Sequence, residues 1–237
     1  MTVTDISFVA GEETLAGRWI FSDGGKDKGV VLLHGAGESN KERALPLAKC
    51  LAAQHNINSF AFDFSGHGES SGSRDASSLT KRVEEAKRAI EVSGFKEPFA
   101  LCAFSMGGHI ALELLRDRCV NALILFYPAV YSSEAAAILF GKPEFTAAIR
   151  QPNSWRKSDV FEALSSFSGR LLVVIGENDE VIPKEVIELI TTGAPQATVE
   201  QINIQGGTHR LLPSILGDET MFTDVCQKMA AAIRTYD

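Results

Sequence analysis

The feature of this 237-residue chain that most restricts its fold is a repeated alternation between short apolar runs and helix-period segments. The runs Val30–Leu33, Ser59–Asp63, Phe99–Phe104, Ala122–Phe126, Leu171–Gly176 and Val199–Ile204 lack strict polar alternation, as expected of strands covered on both faces. Helical patterns fall between and after them, at about Ala44–Gln54, Leu79–Ser93, Met106–Arg116, Lys184–Thr192 and Thr220–Tyr236. A helix between two strands carries the chain back across the sheet, so such strands run parallel. Two more runs, Ile6–Val9 and Thr14–Phe21, flank Gly11-Glu12-Glu13, which suits a hairpin turn. The expected fold class is α/β: a mostly parallel, eight-stranded sheet with helices on both faces.

One connection is longer than the rest. Between Pro128 and Arg170 the chain carries Ile138, Leu139, Phe140, Phe145, Ile149 and Trp155 among polar residues. Connections in such sheets are usually short, so we expect a small cap at about Ala129–Lys157, followed by a helix capped by Ser158. An ordinary surface excursion is the alternative. No repeat or linker interrupts the chain, and one domain over residues 1–237 is expected.

Composition narrows the partners. With 45% hydrophobic and 22% charged residues the chain can bury a sizeable core, and its net charge of −7 with scattered Lys and Arg argues against nucleic acid or an anionic membrane surface. Met1–Ala10 lacks the pattern of a secretory leader and no apolar run is long enough for a membrane span, so a soluble cytoplasmic protein is expected. Cys50, Cys102, Cys119 and Cys226 are widely separated with no metal-ligand spacing, which points to reduced, mostly buried thiols and no structural metal. The oligomeric state stays open between monomer and homodimer.

Ser105 stands at the junction of a strand pattern, Phe99–Phe104, and a helix pattern beginning at Met106. That is the context of a nucleophile elbow, where strand and helix pass so close that the residues two before and two after the serine must be small. Ala103 and Gly107 meet that requirement, although the commoner pattern has glycine at both. A serine hydroxyl needs a base to take its proton and a third group to orient the base, both from the C-terminal ends of later strands. Gly176-Glu-Asn-Asp-Glu-Val-Ile-Pro offers Asp179, and Gln205-Gly-Gly-Thr-His-Arg offers His209. A helix cap before Val181 is a competing role for Asp179, with Glu177 and Glu180 as neighbouring carboxylates.

The order Ser105, Asp179, His209 resembles the α/β-hydrolase family. So do His34-Gly-Ala-Gly-Glu, Asp63-Phe-Ser-Gly-His-Gly-Glu-Ser, Ala103-Phe-Ser-Met-Gly-Gly, Gly176-Glu-Asn-Asp and Gly207-Thr-His, which together cover nearly the whole chain. The resemblance implies an α/β-hydrolase fold and a Ser105–His209–Asp179 triad. It implies an oxyanion hole formed by the backbone N–H groups of Ala36 and Met106, each donor worth about 3–4 kcal/mol. It also suggests that His34 and His67 brace the oxyanion loop and that Asp63 forms a turn. His55 and His109 lie on helical patterns and are expected to face solvent or pack. Serine in place of aspartate at the elbow argues against the epoxide hydrolase and dehalogenase branches.

The strings look most like small esterases of the monoacylglycerol lipase and feruloyl esterase kind. The expected reaction is cleavage of a small-molecule carboxylic ester through an acyl-enzyme intermediate, with no cofactor, and with Phe140, Phe145 and Trp155 as candidates for an apolar acyl or aryl pocket. A thioesterase would share every residue named. A peptidase or amidase, and a ligand-binding receptor on the same fold, are the remaining alternatives.

Overall fold

A computed structural model describes residues 1–22 and 28–234. Strands β1 (Thr2–Ala10), β2 (Glu13–Phe21), β3 (Gly29–Leu33), β4 (Asn58–Phe62), β5 (Phe99–Phe104), β6 (Val120–Phe126), β7 (Arg170–Gly176) and β8 (Thr198–Ile204) form one sheet in the order β1-β2-β4-β3-β5-β6-β7-β8. The β1–β2 hairpin joins the sheet antiparallel to β4, and the pairs from β4 to β8 are parallel. This is the eight-stranded, mostly parallel α/β-hydrolase arrangement that the sequence leads one to expect.

The helices are α1 (Leu45–His55), α2 (Leu79–Ser93), α3 (Met106–Leu114), α4 (Pro143–Arg150), α5 (Val160–Ser165), α6 (Lys184–Thr192), α7 (Leu211–Gly217) and α8 (Glu219–Arg234). The strands split their side chains between two cores. In β5, Phe99, Leu101 and Ala103 enter a core shared with α2, α3, α5 and α6, while Ala100, Cys102 and Phe104 enter one shared with α1, α7 and α8. Burial on both faces is why the runs show no polar alternation. The edge strands β1 and β8 are the exceptions, each exposed over most of its length.

Several expectations are revised. Helix α3 ends at Leu114, and Leu115 and Arg116 form a turn instead. The last forecast helix reaches Arg234, and its final residues, Thr235 and Tyr236, lie outside the described residues. Ser158 does not cap α5: its hydroxyl is buried without a partner, and Asp159 takes the N-cap position with no side-chain bond to the helix. Asp159 is drawn elsewhere, to Ser133. Helix α7 was not expected from the sequence.

Between β6 and β7 the long connection holds single turns at Ser133–Ala135 and Ser154–Lys157, with α4 between them. Its apolar residues Ala129, Val130, Ala135, Phe145 and Trp155 join the core that contains α3. Of the cysteines, Cys119 is exposed and the other three are buried thiols. Among the described residues, no helix is long and apolar enough to cross a membrane.

Candidate active site

The strand order reverses between β3 and β5: from β3 the chain moves outward to β4, then returns to place β5 on the other side. In open α/β sheets the crevice at such a point, at the C-terminal strand ends, is where ligands bind. Here it holds the segments after β3 and β5, His34-Gly35-Ala36 and Ser105.

Ser105 has φ 49° and ψ −116°, a backbone region that costs a residue with a side chain about 1–3 kcal/mol. The turn is held by its surroundings. The Ser105 N–H donates to the Phe126 carbonyl at 3.0 Å, and its own carbonyl accepts from Gly108 N–H at 2.8 Å and Ala129 N–H at 3.0 Å. A Cβ on Gly107 would lie 2.4 Å from the Leu33 carbonyl oxygen, so only glycine lets α3 leave the turn this close to β3.

Residues 104 apart in sequence meet here: Ser105 Oγ is 3.1 Å from His209 Nε2. On the other side of the ring, His209 Nδ1 is 2.9 Å from Asp179 Oδ2. With Nδ1–H donating to the carboxylate, Nε2 is left to accept from the serine hydroxyl. The loops that carry the two partners are bound to each other, since Asn178 N–H donates to the Gly207 carbonyl at 2.8 Å and Glu177 N–H to that of Ile204 at 3.1 Å. A Cβ on Gly176 would lie 2.4 Å from the Gly207 oxygen, so glycine is required for that approach.

Asp179 caps no helix, since α6 begins at Lys184 behind Pro183 with no side-chain cap, and its carboxylate divides its oxygens between His209 and its own loop. While Oδ2 faces His209, Oδ1 accepts from the N–H groups of Val181 at 2.8 Å and Ile182 at 3.1 Å. Burial opposes its ionisation, but the bonds from His209, Ile182 and Val181 outweigh it and hold the carboxyl below its ordinary value. Glu177 turns instead to Gly206 N–H. The ring of Tyr127 packs edge-on against His209 with centroids 4.9 Å apart. Its backbone, at φ 39°, lies in the left-handed region that bulky residues avoid.

His34 and His67 sit behind the loop that carries Ala36. His34 Nε2 accepts from Phe64 N–H at 3.0 Å, so its proton is on Nδ1, 2.7 Å from the Gly35 carbonyl oxygen. Because a trans peptide is planar, fixing the Gly35 carbonyl turns the Ala36 N–H the opposite way. His67 repeats the arrangement, with Nδ1 2.8 Å from the Ser39 carbonyl oxygen. Burial, reinforced by the positive charge of Arg82, keeps both rings neutral, with His67 pulled down to about 4 and His34 well below its usual range. Asp63 anchors the far end of the loop, accepting from Lys41 N–H at 2.6 Å, Lys41 Nζ at 2.8 Å and Glu69 N–H at 3.1 Å. Met106, the other expected donor, opens α3, where the first N–H groups have no acceptor within the helix.

The family model described as serine aminopeptidase, S33 matches residues 25–157, more than half of the chain. The chain belongs to that family. It is therefore a hydrolase of the α/β fold. No curated protein matches it. Among solved structures it is similar to an esterase from Exiguobacterium antarcticum, at 18% identity over 96% of this chain and 100% of the other, with a TM-score of 0.71. Est1E of Butyrivibrio proteoclasticus, solved with ferulic acid bound, gives 17% identity over 95% of this chain and 99% of the other, TM-score 0.69. A thioesterase domain from the curacin biosynthetic pathway gives 18% identity over 98% and 99%, TM-score 0.68. These likenesses show the shared fold.

The expected pocket residues are placed differently from the three polar ones. Phe145 and Trp155 are buried in the core beneath the connection, and Phe140 packs on Phe145 with centroids 4.7 Å apart. His109 is buried and its Nδ1 accepts from Tyr131 N–H at 3.4 Å, while His55 is half-buried at the end of α1. Tyr127 and Arg82 escaped the sequence reading. Arg82 had a signal: it lies three residues after Leu79 and four before Ala86, on the stripe that α2 buries.

Proposed function

We propose that this hydrolase cleaves carboxylic esters of small to medium apolar acyl or aryl groups, with Ser105 as nucleophile, His209 as general base and acid, and Asp179 as its orienting carboxylate. The observation that carries this reading is the continuous relay from Ser105 Oγ to His209 at 3.1 Å and from His209 to Asp179 at 2.9 Å, set on a strained turn. Ser105 Oγ attacks the ester carbonyl as its proton passes to His209 Nε2. The tetrahedral oxyanion is received by the backbone N–H groups of Ala36 and Met106. His209 then gives the proton to the leaving alcohol, and water repeats the sequence to release the acid from the acyl-enzyme. No step calls for a cofactor. We read the whole chain as one hydrolase domain and residues 129–157 as a small cap, with Phe140, Phe145 and Trp155 as the apolar framework of its acyl side.

Cleavage of thioesters is the second reading, favoured by the likeness to the curacin thioesterase domain. An aminopeptidase reading follows the family's description and asks the same relay to protonate an amine. The deciding experiment treats the protein with a fluorophosphonate probe and maps the label, which is expected on Ser105. Label elsewhere on active protein, or full esterase activity in His209→Ala, overturns the mechanism. A panel of p-nitrophenyl esters, acyl-CoA thioesters and aminoacyl p-nitroanilides then ranks the substrate classes, and faster turnover of thioester or anilide than of matched ester overturns the ester assignment.

A further inference from the structure

Arg82 is 1% exposed, and among the described residues no carboxylate lies within ion-pair distance of it. The buried Glu85 carboxylate acts on it only at longer range, and a guanidinium taken out of water without a direct ion pair is costly unless its N–H groups and its planar faces are used. The uses found here converge on the catalytic crevice. Nη2 donates to His67 Nε2 at 2.5 Å, and Nη1 lies 3.5 Å from Met106 Sδ. The plane is sandwiched, 5.0 Å from the Phe64 ring centroid and 4.9 Å from that of Phe140 in the connection between β6 and β7. Nε alone has no partner.

We propose that Arg82 is a positioning residue for the oxyanion loop, acting through His67. The inference rests on the esterase reading of the crevice. Neutral imidazole has one N–H, and whichever nitrogen accepts a bond leaves the proton on the other. By donating to Nε2, Arg82 forces the His67 proton onto Nδ1, where it meets the Ser39 carbonyl. The Gly35 carbonyl is held in the same way by His34. The segment bearing Ala36 is thus pinned by an imidazole N–H at each end, and Arg82 sets one of the two pins. Lysine could not replace it, because one ammonium cannot lie flat between two aromatic rings and also reach His67 and Met106 in fixed directions. The buried charge beside Met106 adds a positive potential where negative charge develops in the transition state. Phe140, on the outer face of the guanidinium, brings the connection between β6 and β7 into the same stack.

The test uses the full chain in three forms: wild type, Arg82→Met, which removes donor and charge, and Arg82→Gln, which keeps an N–H donor without the charge. Nitrogen-15 spectra of the histidine rings, of which the chain has five, report the tautomer of each. Wild-type His67 is expected as the Nδ1–H form. Arg82→Met is expected to lose that form and to lower kcat for p-nitrophenyl esters by about 10²-fold, the scale for a misplaced catalytic group, with KM nearly unchanged. Arg82→Gln is expected to keep the tautomer and recover most of kcat. A folded Arg82→Met that retains both the tautomer and kcat overturns the proposal. So does wild-type His67 in the Nε2–H form, a result that needs no variant to fold. Fluorophosphonate labelling of Ser105 is measured in parallel. Its absence in wild type sinks the esterase reading, whereas intact labelling with an unchanged Arg82→Met sinks only the role of Arg82.

Discussion

The two loops that meet over Ser105 are held by different means. The loop after β3 is fixed from behind by buried polar side chains: His34, His67, Arg82, and the Lys41–Asp63 pair, in which Asp63 is fully buried. The loop after β8 is fixed mainly through backbone bonds to the Asp179 loop, and His209 itself remains 23% exposed. The difference matches the two tasks proposed for these loops. Oxyanion donors are useful only where they already point at developing charge. The base must exchange protons on both sides of the reaction, so a lighter hold serves it. Polar substitutions behind the first loop should therefore cost stability and activity together, whereas substitutions around His209 should cost activity far more than stability.

The largest expected effect sharpens the second half of that contrast. Asp179→Asn should lower kcat by about 10⁴-fold, since an amide can no longer hold His209 in the tautomer that leaves Nε2 free, and esterase assays across pH will check it. The same variant carries a stability signature. The Asp179 carboxyl is held below the ordinary aspartate value of 3.8 in the fold, so its stabilising contribution is complete above that value and fades as pH falls through it to the lower folded value. The Tm difference between wild type and Asp179→Asn should accordingly shrink as pH falls below about 4.

The first loop is probed by Lys41→Met. Removing the ammonium strands a buried carboxylate, and breaking such a pair costs about 3–5 kcal/mol. Denaturant unfolding should show the loss, and adding Asp63→Asn should restore part of it. An unchanged midpoint in Lys41→Met breaks the contrast from this side. The smallest effect belongs to Tyr127. Its edge-on contact with His209 is worth about 0.5–1.5 kcal/mol, so Tyr127→Ala should lower kcat by no more than about 10-fold, while Tyr127→Phe keeps the ring and the rate. A Tyr127→Ala loss far above that range would show that the base depends on its surroundings as heavily as the oxyanion loop does.

The parts of this arrangement legible in the sequence are those with a local period or a chain order. The apolar runs locate the inner strands β3 to β7 because burial on both faces leaves no room for polar alternation, while the exposed edges β1 and β8 are located by the hairpin turn and by the strand–helix order. Ser105 announces itself through the strand before it and the helix after it. Asp179 cannot be told from a helix cap in the sequence alone, because only the folded loop shows that α6 begins later, at Lys184, and that one carboxylate oxygen serves Val181 and Ile182 while the other faces His209. Ser158 misled because a serine before a helical pattern is a good cap only when no neighbour competes, and Asp159 occupies the position while bonding to Ser133. Arg82 lay hidden for another reason. Its position on the buried stripe of α2 is legible, but a charged residue there still reads as solvent-facing until Phe64 and Phe140, far away in the chain, are seen to cover its two faces.

The crowding at Gly107 has a consequence for how chains of this kind are found. The turn is asymmetric: on its entry side the methyl group of Ala103 is accepted into the core, and on its exit side a Cβ at Gly107 would meet the Leu33 carbonyl at 2.4 Å. A search string that demands glycine at both places discards this chain for a residue its geometry does not need. One that relaxes the entry position to any small residue, and keeps glycine strict at the exit, follows the steric boundary and would recover others built the same way.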